Sequence, residues 1–313
     1  MQRYHTPIMV AEVLDFLEPA SGRIYLDGTL GTGGHTGAIL ERSAPEGRVI
    51  GIDTDSESLQ IARERLAPYG ERVIFIHARF EQAPQALAGL GIASVDGALL
   101  DLGLSRVQLE IPERGFSFDR EGPLDMRMDR TATGCTAAQL LESLSEIEMA
   151  GLFRVFGEER WSRRIARGIA RRRETHGSLR TTRDLAQTVL TSIPSRKGPR
   201  RIHPATRIFQ ALRIAVNREL EALEKFLEEL PALIRRGGRF CVLAFHSLED
   251  RVLKERFRRW EQGCRCPVRS APCECQGEPL FRRIRRKVLR PQAEEVARNP
   301  LSRSARLRVV ERT

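Results

Sequence analysis

The chain has 313 residues, with 52 Lys and Arg against 41 Asp and Glu, a formal net charge of +11 and 41% hydrophobic residues. That is enough apolar chain for a sizeable core in one large or two ordinary domains, which excludes disorder and collagen-like structure. No apolar run approaches the ~18 residues of a membrane helix, and residues 1–7 lack the basic-then-apolar form of a secretory signal, so a soluble, cytoplasmic protein is expected. The basic excess is almost wholly arginine, because Lys197, Lys225, Lys254 and Lys287 are the only lysines. A GC-rich genome writes arginine by habit, whereas a polyanionic partner selects it for its planar, bidentate donors, and the distribution along the chain decides between the two.

Near the start, Thr6 is placed to cap a helix with Pro7 at its first position and Val10, Val13, Leu14 and Leu17 facing inward. Short apolar runs at 24–27, 49–53, 73–77 and 97–101, each bounded by Gly, Asp or Pro, read as buried strands. Between the second and third, residues 56–67 put Leu59, Ala62 and Leu66 on one side at helical spacing. Alternating strand and helix predicts an α/β fold with a parallel sheet and right-handed crossovers. From about Arg114 the rhythm changes to helices with basic loops. Arg160, Arg163, Arg164, Arg167, Arg171, Arg172 and Arg173 crowd one stretch, and Ser195-Arg196-Lys197-Gly198-Pro199-Arg200-Arg201 follows. Strand-like runs return at 239–245 and 305–310. The expected organisation is a discontinuous core, residues 1–110 and 210–313, interrupted by a helical insertion at 111–209.

The first strand leads into Asp27-Gly28-Thr29-Leu30-Gly31-Thr32-Gly33-Gly34-His35-Thr36-Gly37, a loop that opens a helix. Glycines allow close backbone approach to a ligand, and a helix N-terminus offers free N–H groups. The dinucleotide fingerprint would need glycines at 31, 33 and 36, yet position 36 is Thr and Asp27 brings a charge where none is expected. Asp-x-Thr-x-Gly-x-Gly after strand one is the pattern of S-adenosylmethionine-dependent methyltransferases, where a carboxylate and loop amides can hold a zwitterionic amino acid. Asp53, ending the second strand, suits a ribose diol, and Asp55 suits a helix cap.

Across nearly its whole length the sequence resembles the RsmH (MraW) family of bacterial 16S ribosomal RNA cytosine-N4 methyltransferases. The resemblance is carried by Tyr4-His5-Thr6-Pro7-Ile8-Met9, the 27–37 loop, Leu99-Leu100-Asp101-Leu102-Gly103, Gly115-Phe116-Ser117-Phe118, the 122–129 and 207–217 segments, Phe245-His246-Ser247-Leu248-Glu249-Asp250-Arg251, and residues 299–305. Gly122-Pro123-Leu124-Asp125-Met126-Arg127-Met128-Asp129 and the 207–217 segment are its most specific parts. The resemblance implies a Rossmann-like class I methyltransferase core with a mostly parallel sheet and an inserted helical, substrate-recognising domain. It further implies S-adenosylmethionine as cofactor and a cytidine in the decoding region of 16S rRNA, within the small ribosomal subunit, as target. Carried over by motif, the cofactor contacts are Gly33, Gly34 and His35 in the loop, Asp53 at the ribose, Phe80 at the adenine, and Asp101 and Gln108 completing the site. Where many members have Ser-Ser-Pro-Gln, this chain has Ser105-Arg106-Val107-Gln108.

Cytosine N4 is a poor nucleophile because its lone pair is conjugated into the ring, so an acceptor for the amine hydrogens would help. The Asp/Asn/Ser-Pro-Pro-aromatic element of many amino-methyltransferases is absent, and Asp101-Leu102-Gly103-Leu104-Ser105 stands in its place. Asp101 is therefore the candidate catalytic residue, against the alternative that it binds cofactor only. His35 and His246 are open between site and structural roles, and His203 between packing beside RNA and sitting in a turn. Phe116 and Phe118 are candidates for base stacking, with Met126 and Met128 as apolar walls, or else core residues. The arginines at 160–173 and 196–201 are the expected phosphate contacts, or else a solvated helix face.

Cys264, Cys266, Cys273 and Cys275 form two Cys-x-Cys pairs across a Pro-rich turn. A thiolate zinc knuckle, reduced thiols and a disulfide all remain open for them, and no metal ligand is assigned. Cys135 and Cys241 read as small apolar residues. Two competing functions are a DNA amino-methyltransferase, disfavoured by the missing Pro-Pro-aromatic element, and a non-catalytic ribosome-assembly factor, disfavoured by the intact loop with Asp53 and Asp101.

Overall fold

The computed structural model describes residues 7–194, 203–263 and 277–313. The chain divides into two compact units, one made of residues 1–103 and 220–313, the other of residues 104–219. The expected boundaries at 110 and 210 are displaced because helix Ala205–Asn217 buries Ile208, Phe209 and Leu212 in the core of the second unit.

The first unit is built on seven strands, β1 (Ile24–Asp27), β2 (Arg48–Asp53), β3 (Val73–His77), β4 (Val95–Asp101), β5 (Ile234–Ala244), β6 (Phe281–Arg283) and β7 (Arg306–Arg312). Their spatial order is β3-β2-β1-β4-β5-β7-β6. The first five are mutually parallel, while β7 runs antiparallel to β5 and β6 antiparallel to β7. Strands buried on both faces must be apolar throughout, and successive residues divide between two layers. Leu26, Ile50, Leu100 and Val242 enter one core with Phe226, Leu253 and Phe257. Their neighbours Tyr25, Val49, Leu99 and Cys241 enter the other with Val13, Leu17, Ile39 and Leu40.

The order reverses between β1 and β4, which makes the carboxyl ends of these two strands the switch point where open α/β sheets bind ligands. Register places Asp27 beside both Gly51 and Leu99, so the ends of β1, β2 and β4 converge there.

Three expectations change. Thr6 lies outside the described residues, and the first helix is Val10–Leu17, with Pro7 preceding it instead of opening it. Its N-cap is Met9, left-handed at φ 54°, whose amide donates to Glu295 Oε1 at 2.8 Å. Strand β5 begins at Ile234 rather than 239, pairing with Val95 across a register shift that Gly237 accommodates at φ 75°. Strand β6, three residues carrying two arginines, has no apolar run to announce it.

The second unit is helical, with Arg106–Glu110, Ala137–Ser143, Glu146–Val155, Ser162–His176, Thr182–Ser192 and Ala205–Asn217. Side-chain capping boxes start four of them, Ser105 with Gln108, Thr136 with Gln139, Ser145 with Glu148 and Thr181 with Asp184. Its core includes Phe153, Ile165, Ile169, Leu185 and Leu212. Among the described residues no helix is long and apolar enough to cross a membrane.

Candidate cofactor site

The glycine loop is stitched to the sheet from both sides. The Gly28 amide donates to Leu99 O (3.0 Å) and the Leu30 amide to Ile52 O (2.9 Å). Asp27 is buried, and its two oxygens accept from the Thr29 amide (3.2 Å) and the Thr36 hydroxyl (2.7 Å). This carboxylate is thus occupied by its own loop. Thr29 Oγ1 accepts in turn from the Asp101 amide at 2.6 Å, tying the loop to the end of β4.

The glycines divide by what surrounds them. Gly33 is the left-handed N-cap of helix Gly34–Arg42 (φ 78°), and a side chain there would strike Leu66 at 2.7 Å. Gly34 faces Pro7, with an added Cβ 3.0 Å from its ring. These two are required by protein packing. Gly31 is different: it is left-handed at φ 52°, and an added Cβ would meet only Thr29 O at 3.9 Å. Its amide donates to Asp53 Oδ2 at 2.6 Å.

Asp53 ends β2 and accepts a second backbone bond, from Asp55 at 2.8 Å through Oδ1. Burial pushes its pKa up to about 6, against the lowering effect of the Asp55 and Gly31 amides. Asp55 caps the next helix by accepting from Glu57 N, as expected. Phe80 follows β3 and packs edge-on against Phe226, ring centroids 5.7 Å apart, beside the position a side chain at Gly28 would take.

Asp101 ends β4 with a quarter of its side chain exposed, yet Oδ1 is shut off from solvent without a hydrogen-bond partner among the described residues. Oδ2 lies 3.5 Å from His35 Nδ1. Burial, and secondarily the charge of Glu249, pushes its pKa up to about 7. His35 is buried, and its Nε2 lies 2.9 Å from the carbonyl of Ile8. Burial lowers its pKa, so the ring is neutral at physiological pH, and a carbonyl partner requires that Nε2 carry the proton. Nδ1 is then a lone pair facing Asp101. The 7–9 segment, far from the loop in sequence, supplies both the Ile8 carbonyl and the Pro7 packing.

Gln108 belongs to the second unit, at the third position of helix Arg106–Glu110. Its side-chain oxygen accepts from the Ser105 amide (3.0 Å), and its amide donates to Ser105 Oγ (3.2 Å). The Ser105-x-x-Gln108 capping box shapes this turn.

His246 caps helix Ser247–Gln262, its Nδ1 accepting from Glu249 N at 3.3 Å. Nε2 lies 3.0 Å from Glu249 Oε1, outside hydrogen-bond geometry. Glu249 Oε2 accepts from the amides of Phe245 (2.8 Å) and His246 (3.2 Å).

In the second unit, Phe116 and Met126 are core residues and not free walls. Phe118 is half-buried, stacked on His203 at 4.5 Å and edge-on to Phe209. The 122–129 segment is an irregular loop held from two sides. Buried Arg114 donates to the carbonyls of Arg127 and Met128. Asn217 donates to Met126 O and accepts from Met128 N, both at 2.8 Å. Met126 is itself strained, at φ 62°. Sequence reading missed both clamps, the Arg114 one acting over 13 and 14 positions and the Asn217 one over about 90.

The arginine run also divides. Arg173 donates to the carbonyls of Leu141, Glu142 and Leu144, and Arg172 to Gly177 O (3.0 Å). Arg160 and Arg164 lie over the Trp161 ring. Arg163, Arg167 and Arg171 are exposed at four-residue spacing on one helix face, and only Arg167 has a partner among the described residues, Glu146 at 3.4 Å. The 196–201 cluster and Cys264, Cys266, Cys273 and Cys275 lie outside the described residues. Cys241 is buried as expected, whereas Cys135 is exposed with its thiol on Thr136 O.

Residues 2–313 match the model of the MraW methylase family. The chain is 49% identical over 308 residues to the ribosomal RNA small subunit methyltransferase H of Syntrophobacter fumaroxidans, covering 98% of this chain and 96% of that one. It is also 49% identical to the enzyme of the same name from Geobacter sp. strain M21, over 99% of this chain and 98% of that one. Among solved structures, an rRNA methylase from Streptococcus thermophilus is a distant likeness, 12% identical with a TM-score of 0.41, over 100% and 99% of the two chains. With the family model matching from end to end, the chain belongs to the MraW methylase family.

Proposed function

We propose that this chain transfers the methyl group of S-adenosylmethionine to the N4 amine of a cytidine in the decoding region of 16S rRNA. The coarser statement is firm: it is an S-adenosylmethionine-dependent methyltransferase of small-subunit ribosomal RNA, as its half-identical relatives are named. The observation that carries the finer reading is Asp101, a carboxylate at the end of β4 with one oxygen unbonded. The site fits the cofactor, because Gly31 leaves open space at a left-handed turn and Asp53 retains acceptor capacity beyond its two backbone bonds.

S-adenosylmethionine supplies an electrophilic methyl on a sulfonium. In this reading Asp53 orients the ribose, Phe80 abuts the adenine, and the 31–35 loop receives the amino-acid end. Methyl transfer is a displacement, so alignment supplies much of the rate. Asp101 accepts a hydrogen of the target amine, which returns lone-pair density to N4 and gives the departing proton a destination. The 104–219 unit is read as the RNA-recognition part. Arg163, Arg167 and Arg171, stepping ~6 Å along the helix axis per four residues, supply a row of phosphate donors.

The test incubates the protein with methyl-labelled S-adenosylmethionine and, in parallel, unmodified small ribosomal subunits, naked 16S RNA and duplex DNA, followed by nucleoside mass spectrometry. N4-methylcytidine in the ribosomal RNA is the expected product. Label in DNA, or on another nucleoside, would refute the substrate assignment.

A further inference from the structure

The Asp101 environment suits a neutral carboxyl group. One oxygen is buried without a partner, and no arginine or lysine pairs with the group among the described residues. Its Oδ2 lies 3.5 Å from His35 Nδ1, a lone pair whenever Nε2 donates to Ile8 O. Glu249 stands close enough to oppose a second negative charge. Its carboxylate accepts two backbone amides in the first turn of a helix, a setting that holds an anion. Asp27 adds a further buried carboxylate on the loop side. His35 in turn is faced by Asp27, Glu295 and Arg65. The free enzyme therefore has a place for one proton, between Asp101 Oδ2 and His35 Nδ1, and no cation to replace it.

We infer that Asp101, backed by His35, is a proton-linked charge sensor that distinguishes S-adenosylmethionine from S-adenosylhomocysteine: the sulfonium expels the Asp101 proton, and the neutral thioether lets it stay. This rests on the reading of Asp101 as a cofactor-site residue given above. The two ligands share the amino acid, ribose and adenine, so effects at Asp53 or Asp27 cancel between them. They differ in the methyl group and the positive charge that it gives the sulfur. The reaction balances in the same terms. The S–C bond breaks with its electron pair left on sulfur, the C–N bond forms, and the amine proton passes to the Asp101 carboxylate. Sulfonium plus carboxylate becomes thioether plus carboxyl, so the local charge is zero before and after. The product complex has the protonation state of the free enzyme, which lets S-adenosylhomocysteine leave without waiting for a proton.

His35 acts through Asp101 and is a positioning residue here. Its neutral Nδ1 accepts from the protonated carboxyl and so sets how firmly the proton is held.

Isothermal titration calorimetry in two buffers of different ionisation heat, between pH 5.5 and 8, tests this without turnover. Below pH 7, S-adenosylmethionine should release close to one more proton than S-adenosylhomocysteine. The ratio of their affinities should rise about tenfold per pH unit from 5.5 toward 7 in favour of S-adenosylmethionine, then level off. Asp101→Asn, which mimics the neutral carboxyl, should abolish both the proton difference and the pH slope while binding S-adenosylhomocysteine as tightly as before. Equal proton release for the two ligands in the wild-type protein, or a difference that survives Asp101→Asn, would overturn the inference while leaving the cofactor site standing. Failure of both ligands to bind would overturn the site reading and the inference together.

Discussion

The two units handle charge in opposite ways. In the first, negative charge is concentrated at one sheet edge and buried: Asp27, Asp53 and Asp101 end β1, β2 and β4, and burial raises all three pKa values. In the second, positive charge is spread over an exposed helix face. The comparison extends to single residues. Asp125 of the second unit is also pushed up by burial, but the bidentate Arg127 guanidinium (2.7 and 2.9 Å) and the Arg127 amide outweigh this and hold it below the usual range. Asp125 has a resident cation, whereas no arginine or lysine among the described residues pairs with Asp101. That contrast separates the binding edge from the scaffold more sharply than exposure does.

Breaking the contrast at its centre gives the largest effect. Asp101→Ala, assayed at saturating cofactor, should lower turnover by roughly 10³-fold, within the range for loss of a proton acceptor. If affinity fell but turnover at saturation did not, Asp101 would bind cofactor only.

Next is the second unit's clamp. Asn217→Ala strands the Met126 carbonyl and the Met128 amide, at ~1–3 kcal/mol each for buried groups, and should lower Tm by roughly 5–10 °C. An unchanged Tm in calorimetry would show that the 122–129 loop holds its shape without this residue.

Stability against pH sharpens the comparison further, because the two kinds of carboxylate have opposite signs. Asp101 has a raised folded pKa, so its contribution is present near pH 4 and lost as pH rises through about 7. Asp101→Asn should therefore stabilise the free protein at pH 8, by about 2 kcal/mol, and give no gain at pH 4. Asp125 has a lowered folded pKa, so its contribution is present at neutral pH and lost in acid. Asp125→Asn should destabilise at pH 8 and approach the wild-type protein below pH 4. Thermal melts across pH 2–8 check both, and a destabilised Asp101→Asn at pH 8 would contradict the reading.

The smallest effect is expected on the exposed face. Replacing Arg163, Arg167 and Arg171 together by Gln should weaken RNA binding about tenfold and reduce the slope of log affinity against log salt by roughly 2 to 3. Filter binding over a salt series measures it, and an unchanged slope would make the row a solvated helix face.

The sequence showed some of this structure well and some of it not at all. Strands at 24–27 and 73–77 were legible to the residue because each is a short apolar run closed by a polar residue, Asp27 and His77. Asp53 and Asp101 were legible because a carboxylate ending such a run sits at the ligand edge. Strand β6 and the arginine-rich start of β5 were not, since their pairing is set by partner strands and carries no apolar signature. Nor were the contacts of His35 with Ile8 and Asp101, which join three separate segments. Phe116 and Met126 were open between pocket and core because an aromatic or Met looks alike in both settings. Folding settled them in the core.

The most direct measurement maps methylation in 16S RNA from cells lacking this gene and complemented with the wild-type protein or Asp101→Ala. The account predicts one N4-methylcytidine in the decoding region, absent from the deletion strain, restored by the wild-type protein and not by the variant. A methyl group on a different nucleoside, or full restoration by Asp101→Ala, would contradict it.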